Sequence, residues 1–366
     1  MSTKTRTRPA NDTKSPVERP KRVIRAKAPL RISFGGGGTD LASYFMERGG
    51  CVVSSTIRKY AYCTIVSNGA EEIHAWSHDY NAELSYRLSE QPGYDGKLDL
   101  IKAAVKVVGV RKGFDLQLHS DVSPGTGLGS SSATCVALLG ALKRWQDQPF
   151  TAYDLADLAY RVEREEVGIK GGKQDQYACA FGGFNFIEFL GNGVVVNPLP
   201  MSADLVNELE YRCILCDTGT ARLSDGIITD QVGRYTSGQP DTVKALDQTK
   251  GIALRLRDLL LLGKLDELGR TLHEAWQIKR RFSPLISNQA IDELYQIGLK
   301  AGALGGKILG AGGGGYLLFL CAYDRRHHVA EKLKGVGAEV SSVSFEPQGV
   351  QIWEAPNLEE SHRKGR

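Results

Sequence analysis

The 366-residue chain contains no apolar run approaching the roughly 18–20 residues of a membrane span. Its longest, Ala133 to Leu142, has the length of a buried helix. The first residues carry no apolar segment of the secretory kind, so no export signal is expected. Charge of one sign is also scarce, with 46 Lys and Arg against 42 Asp and Glu. The small excess is local. Residues 1–22 hold Lys4, Arg6, Arg8, Lys14, Arg19, Lys21 and Arg22 against Asp12 and Glu18, which leaves a near-neutral body. Such a body lacks the basic stripe that nucleic-acid binding requires. Histidine and cysteine form no cluster of the zinc-binding kind. The seven cysteines sit mostly in apolar runs, and Cys213-Ile-Leu-Cys216 has no second CxxC to complete a metal site. They read as reduced, buried thiols of a cytoplasmic protein.

Two phosphate-binding and dinucleotide signatures are missing as well. The strict P-loop, GxxxxGK followed by Ser or Thr, does not occur: Gly302 to Lys307 and Gly168 to Lys173 are each one residue short. Gly310 to Gly315 spells GxGxxG, but a strand-like Tyr316-Leu317-Leu318-Phe319-Leu320 follows where a dinucleotide fingerprint needs a helix. Hydride transfer is excluded on that context.

What the chain has in excess is glycine, 42 residues, about 11% against roughly 7% in average usage. The excess is clustered at Gly35-Gly36-Gly37-Gly38 and Gly312-Gly313-Gly314-Gly315. A third glycine-rich stretch, Pro124-Gly125-Thr126-Gly127-Leu128-Gly129-Ser130-Ser131-Ser132, runs straight into an apolar helical sequence. A glycine loop entering a helix N-terminus presents unpaired amides and a positive dipole end, which together cradle an anion. An ordinary turn with a serine cap needs one serine; here three follow three alternating glycines.

Around these loops, β-branched and aromatic alternation from Val23 to about Asn68 predicts strands with tight turns. A helix is expected at 98–108, a strand at 114–119, and helices at 131–146, 151–167 and 174–181. Strands at 183–189 and 211–217, long amphipathic helices over 222–301 and a final α/β alternation complete an α+β pattern. The expected organisation is a disordered basic tail over 1–22, an N-terminal half over 23–200, a C-terminal half over 201–350 and a second tail over 351–366.

Three segments in order carry a resemblance. Ala28-Pro29-Leu30-Arg31-Ile32-Ser33-Phe34-Gly35-Gly36-Gly37-Gly38-Thr39-Asp40, then Pro124 to Ala133, then Lys307-Ile308-Leu309-Gly310-Ala311-Gly312-Gly313-Gly314-Gly315 are similar to the three motifs of the GHMP kinase superfamily. The similarity extends over about Val23 to Val343. It implies a GHMP kinase-like two-part fold, an N-terminal mixed half with the ATP-binding glycine loop and a C-terminal α+β half. It implies ATP and Mg2+, a small sugar phosphate as the other partner, no nucleic acid or membrane, and allows a homodimer. The forms FGGGGTDL and LGAGGGG look like the D-glycero-D-manno-heptose 7-phosphate kinases, with fucokinase or another sugar kinase as the alternative and a non-catalytic sensor as a remoter one.

The resemblance also assigns roles. Pro124, Gly125, Gly127, Leu128, Gly129, Ser130, Ser131 and Ser132 are expected to hold ATP. Ser131 and Glu163 are expected to hold Mg2+, which takes hard oxygens and keeps water. Asp175 is expected beside the attacking hydroxyl, with Arg31 as the cation that keeps it ionised. Gly37, Gly38, Thr39, Asp40 and Gly312 are expected at the sugar, Asp40 accepting two hydroxyls. Galactokinases carry a Glu-His pair where this chain has Gly37 and Gly38; the glycines are expected to leave open space. Lys173, Arg222 and Lys279 are candidates for a substrate phosphate. Trp76 and the region of Tyr80 are candidates to flank adenine.

Overall fold

The computed structural model describes residues 21–220 and 225–356. In chain order the elements are β1 (Val23–Gly35), α1 (Ala42–Arg48), β2 (Gly50–Val66), β3 (Glu72–Ser77), β4 (Ala82–Arg87), α2 (Asp99–Val108), β5 (Phe114–Ser120), α3 (Ser130–Trp145) and α4 (Ala152–Tyr160). A π-helical turn, Arg161–Glu166, continues α4 and precedes α5 (Gln174–Phe181). Then follow β6 (Phe184–Leu190), β7 (Gly193–Pro198), α6 (Ala203–Arg212), β8 (Cys213–Asp217), α7 (Asp225–Thr236), α8 (Pro240–Leu261), α9 (Leu265–Lys279) and α10 (Gln289–Ala301). The chain ends with β9 (Ala303–Ile308), β10 (Tyr316–Cys321), α11 (Arg326–Lys334), β11 (Val340–Ser342) and β12 (Gln351–Glu354). No helix among the described residues is long and apolar enough to cross a membrane.

Two sheets organise these elements. The larger runs β12-β1-β2-β5-β3-β4, with β6 on the first half of β2 and β7 beyond it. The smaller is β11-β8-β10-β9, antiparallel throughout. β2 is long enough to serve two partners: Gly50 to Ser55 pairs with β6 and Ala61 to Val66 with β5. β1 shows why its sequence matters. Its first residues alternate between buried and more exposed, the mark of a strand covered on one face. From Leu30 onward every residue is buried, because α8 and the smaller sheet close over the second face. A Cβ on Gly35 would lie 2.4 Å from the Leu256 side chain, and the Lys307 ammonium donates to the Ser33 carbonyl at 2.8 Å. Arg31 is thereby carried into the interior.

Several elements differ from the sequence expectation. Residues 203–212 form a helix, α6, and Tyr211 and Arg212 are its last turn rather than the start of a strand. The run Cys213 to Cys216 is the buried strand that follows, with all seven cysteines free and buried. β7 pairs with β6 across a short turn that the sequence pattern did not mark.

The two expected tails also need correction at their inner ends. Arg22 is held in place: its guanidinium donates to Asp147 at 2.7 Å and to Glu354 at 3.3 Å. Gln351 to Glu354 form a strand on the edge of β1, registered Lys27 to Gln351 through Ile24 to Glu354. The alternation over four residues is too short to read from sequence. Its hydrogen bonds come from the other end of the chain.

Ile352 of this strand packs on α3 so closely that a Cβ on Gly140 would lie 2.8 Å from it. A chain ending at Val350 should therefore lose about 2 kcal/mol from the lost ladder and the vacated side chain. At about 2–4 °C per kcal/mol, thermal unfolding should fall by about 4–8 °C. A truncated chain melting within a degree of the full one would show that β12 contributes nothing.

Candidate active site

The glycine-serine loop enters α3 as the sequence suggests. Gly125, Gly127 and Gly129 have φ of 81°, 81° and 76°. Gly129 is the N-cap and supplies no side-chain hydrogen bond, so the first-turn amides of α3 have no cap. Gly127 is required for a reason other than ligand approach. A Cβ there would lie 2.6 Å from the Leu309 carbonyl oxygen, and one on Gly310 would lie 2.5 Å from the Gly127 Cα. The second and third glycine segments are thus packed backbone to backbone. Gly312 joins the same wall, and a Cβ there would lie 2.8 Å from the Ile286 carbonyl oxygen.

Arg31 ties this loop to the next element. Its backbone N–H donates to the Leu128 carbonyl at 3.0 Å, and its guanidinium donates to the Gly127 carbonyl and to Asp175 Oδ1, the latter at 2.7 Å. Arg31 is buried; Asp175, in the first turn of α5, keeps its carboxylate partly open to the cleft. Burial works against the guanidinium charge, and the Asp175 charge and hydrogen bond more than offset it, so the Arg31 pKa is raised.

Glu163 lies in the π-helical turn and is fully buried. Its carboxylate accepts from Ser131 at 2.7 Å, from Ser132 at 2.6 Å and from Gln176. A π-turn shifts the side-chain phase relative to α4, a feature often found at functional positions. The donor set suits a hard cation. A buried carboxylate and a hydroxyl stand together at the phosphate loop, and a few protein oxygens supplemented by phosphates and water are what Mg2+ takes. Among the described residues no group of three or more His, Cys, Asp or Glu is gathered for a metal.

Asp40 also lines the cleft, but its oxygens are largely occupied. Oδ1 accepts from the Gly38 amide at 2.8 Å, and Oδ2 accepts from the Gln174 backbone at 3.2 Å and its carboxamide at 3.1 Å. The expected pair of sugar hydroxyls therefore meets a carboxylate with only part of its capacity free. Burial pushes the Asp40 pKa up, the Gly38 amide pulls it back and the charge of Asp175 raises it again. The expected open space beside Gly37 and Gly38 is likewise filled. A Cβ on Gly38 would lie 2.9 Å from the Gln231 carboxamide and 3.0 Å from the Phe282 ring, and one on Gly37 would lie 3.3 Å from Gln174.

The cleft bounded by these groups has a volume of about 180 Å3. Lys279, the last residue of α9, reaches into it and donates to the Gly310 carbonyl. Burial, reinforced by the Arg31 charge, lowers its pKa to about 8 against the pull of Asp40 and Asp175. Behind it stands Lys307, whose pKa is pushed well down by burial and by Lys279 and Arg31. A second cavity of about 510 Å3 adjoins the cleft through Ser130 and Ser131 and is lined by Tyr80, Leu98, Ile101, Leu118, Pro124, Val167 and Ile169.

Other sequence candidates fall elsewhere. The Lys173 ammonium sits 4.6 Å from the Tyr160 ring centroid, outside the cleft, and only its backbone N–H approaches Asp40. Thr39 is buried and donates to the Gly36 carbonyl at 2.8 Å, shaping the turn rather than facing a ligand. The Leu128 side chain is in the core, and its carbonyl serves Arg31. Pro124 lines the second cavity; Trp76 does not, bonding His78 instead. Arg222 lies outside the described residues. The sequence reading missed Gln174, Gln231, Phe282 and Lys307. Gln174 stands between two residues that it had marked, so adjacency was a signal; Gln231 lies in a helix with no motif around it.

The comparisons with known proteins agree with this geometry. Residues 99–183 match the GHMP kinases N terminal domain, and residues 256–339 the GHMP kinases C terminal family. The chain is 35% identical over 338 residues to the D-glycero-alpha-D-manno-heptose 7-phosphate kinase of Campylobacter jejuni, covering 91% of this chain and 99% of that protein. The crystal structure of a D-glycero-D-manno-heptose 1-phosphate kinase from Bacteroides thetaiotaomicron superposes with a TM-score of 0.77 at 32% identity, covering 91% and 99% of the two chains. Lactococcus lactis galactokinase, complexed with galactose, superposes at 0.73 with 18% identity over 90% and 95%, a likeness of fold alone. The chain belongs to the GHMP kinase family and is an ATP-dependent phosphotransferase with an alcohol group as acceptor.

Proposed function

We propose that this sugar kinase transfers the γ-phosphoryl group of ATP to the anomeric hydroxyl of D-glycero-D-manno-heptose 7-phosphate. The product would be the 1,7-bisphosphate, a precursor for activated heptose in surface polysaccharide. The observation that carries the reading is one cleft holding an uncapped glycine-serine loop, an Arg-paired aspartate and a buried lysine with no carboxylate bonded to it among the described residues. The first two suit phosphoryl transfer to a hydroxyl. The lysine suits an acceptor that already bears a phosphate, and the Campylobacter relative is named for such an acceptor.

In this reading the loop amides of Gly125 to Ser131 hold the phosphates of ATP, and the adjoining cavity, with Tyr80 and Ile101 among its walls, takes the adenine. Asp175 accepts the proton of the attacking hydroxyl. Arg31 orients Asp175, and the same guanidinium fixes the phosphate loop. Glu163 and Ser131 would hold Mg2+, which when bound offsets the charge of the β- and γ-phosphates. Lys279 holds the acceptor phosphate at the closed end of the cleft, and Asp40 and Gly312 border the sugar. The free, buried cysteines suit a reducing compartment, and we assign the enzyme to the cytoplasm.

The direct test is the specificity constant for heptose 7-phosphate against heptose 1-phosphate, free heptose, fucose and galactose. The 7-phosphate should exceed each by at least about tenfold, the value of a charge-assisted contact. A free hexose or deoxyhexose that wins would overturn the acceptor while leaving the kinase.

Asp175→Asn should lower kcat by about 10²–10⁴ with ATP affinity retained, because the charge is removed at the hydroxyl and not at the nucleotide. Turnover near that of the native enzyme would remove Asp175 from the mechanism.

Lys279 generates a pH dependence. Its pKa is lowered to about 8, so the ammonium is charged below that pH and neutral above it. The kcat/KM for the sugar phosphate, which reports the free enzyme, should therefore decline as pH rises through about 8. The KM for ATP should not follow it. Lys279→Arg should move the decline to higher pH, and Lys279→Met should remove it at a cost of about 10- to 150-fold in kcat/KM. An alkaline limb unchanged in Lys279→Met would place the titration elsewhere.

A further inference from the structure

The side chains that surround the sugar end of the cleft contain one group with no evident structural purpose. Gln231, on α7, is buried and lines the cleft beside Ile228 and Phe282. Its carboxamide stands over Gly38, where a Cβ would approach within 2.9 Å. Its Nε2 is sealed from solvent and has no hydrogen-bond partner among the described residues. Across the Gly37–Gly38 step stands Gln174, whose Nε2 donates to Asp40 while its buried Oε1 has no partner.

A buried amide N–H without a partner destabilises the free protein. Filling the space above Gly38 does not require one. Leucine or methionine would pack against Phe282 and Leu246 and bury no polar atom. An amide at this position is explained by a polar ligand that completes it. The neighbouring carboxylate cannot do the same work alone, since three protein donors already occupy Asp40. The two carboxamides supply what Asp40 lacks, an N–H donor from Gln231 over Gly38 and a C=O acceptor from Gln174 over Gly37. A sugar hydroxyl, which donates one hydrogen bond and accepts others, matches that set.

We propose that Gln231, with Gln174 opposite, binds a ring hydroxyl of the acceptor sugar next to Asp40 and determines which sugar the kinase accepts. This rests on the reading of the acceptor as a sugar, though not on its being a heptose. The asymmetry of recognition gives the proposal its strength. A site built to hydrogen-bond a hydroxyl rejects the analogue lacking it far more strongly than an apolar pocket rejects an extra methylene.

The test is a series of monodeoxy analogues, at each ring position other than the one phosphorylated, of whichever sugar or sugar phosphate the native enzyme phosphorylates best, with kcat/KM measured for each. In the native enzyme one deoxy position should cost at least about tenfold more than the others. In Gln231→Met, which keeps the volume and removes the amide, kcat/KM for the parent sugar should fall about tenfold. The penalty for that one deoxy position should shrink to within about threefold, the KM for ATP should be unchanged, and the melting temperature should hold or rise. Gln231→Leu should behave alike. A native enzyme that tolerates removal of every ring hydroxyl except the one phosphorylated within about twofold overturns the proposal without any variant. So does a Gln231→Met enzyme that keeps the full deoxy penalty, or one whose only change is a lower melting temperature. If a hexose replaces the heptose as best acceptor, the series is run on that hexose, so failure of the acceptor assignment and failure of the Gln231 assignment are read separately.

Discussion

The buried guanidinium of Arg31 is the constraint around which the cleft is arranged. A buried charge is tolerated only where partners surround it. The guanidinium's partners come from two other stretches of chain, the Gly127 carbonyl and the Asp175 carboxylate, while the Arg31 backbone N–H on β1 donates to the Leu128 carbonyl. Removing the carboxylate would leave an unmatched charge in the interior. Satisfying Arg31 therefore fixes the phosphate loop, the first turn of α5 and β1 relative to one another. Positioning is most of what phosphoryl transfer asks of a protein, and here the positioning follows from a charge that must be paired.

The glycine segments answer the same demand in backbone terms. Gly127 and Gly310 lie so close that neither can carry a side chain. Gly172 is similar, since a Cβ there would lie 2.0 Å from the Asp40 carboxylate. In each case glycine serves protein-to-protein approach, which brings the loops near enough to share one ligand. This explains why three glycine runs distant in sequence form one wall, and why their spacing reads like a ligand motif when each contact examined singly is packing.

What could be read from the sequence divides along that line. The loop before α3, the helix at 174–181 and the pair Arg31 and Asp175 were legible because their chemistry is local or belongs to an ordered set of motifs. α5 is found at Gln174–Phe181. Features set by distant partners were not legible. Lys173 and Asp175 are two residues apart near the start of α5, yet one side chain lies against the Tyr160 ring and the other faces the cleft. The glycines at 37 and 38 suggested a void because a sequence shows what a residue omits and not what a neighbour inserts; Gln231 and Phe282 come from almost 200 residues or more along the chain. β12 was unreadable for the same reason, its partner strand standing at the opposite end of the chain. The π-turn at Glu163 leaves no trace in a helical periodicity, although it sets the direction of the carboxylate.

The charges at the closed end of the cleft complete the physical picture. Arg31 has a carboxylate partner; Lys279 and Lys307 are bonded only to the carbonyls of Gly310 and Ser33 among the described residues. Burial lowers the pKa of both lysines, so the fold disfavours their charged forms. Each carbonyl offers a dipole where an ammonium would bind an anion far better. An arriving phosphate relieves that deficit, and the relief is greatest when its own charge is greatest. A transfer that joins two anionic molecules must overcome their repulsion, and fixed cations in a site closed to water reduce it without reorganising. In the proposed reading, the same arrangement that disfavours the lysine charges makes the cleft complementary to a phosphorylated acceptor meeting a nucleotide.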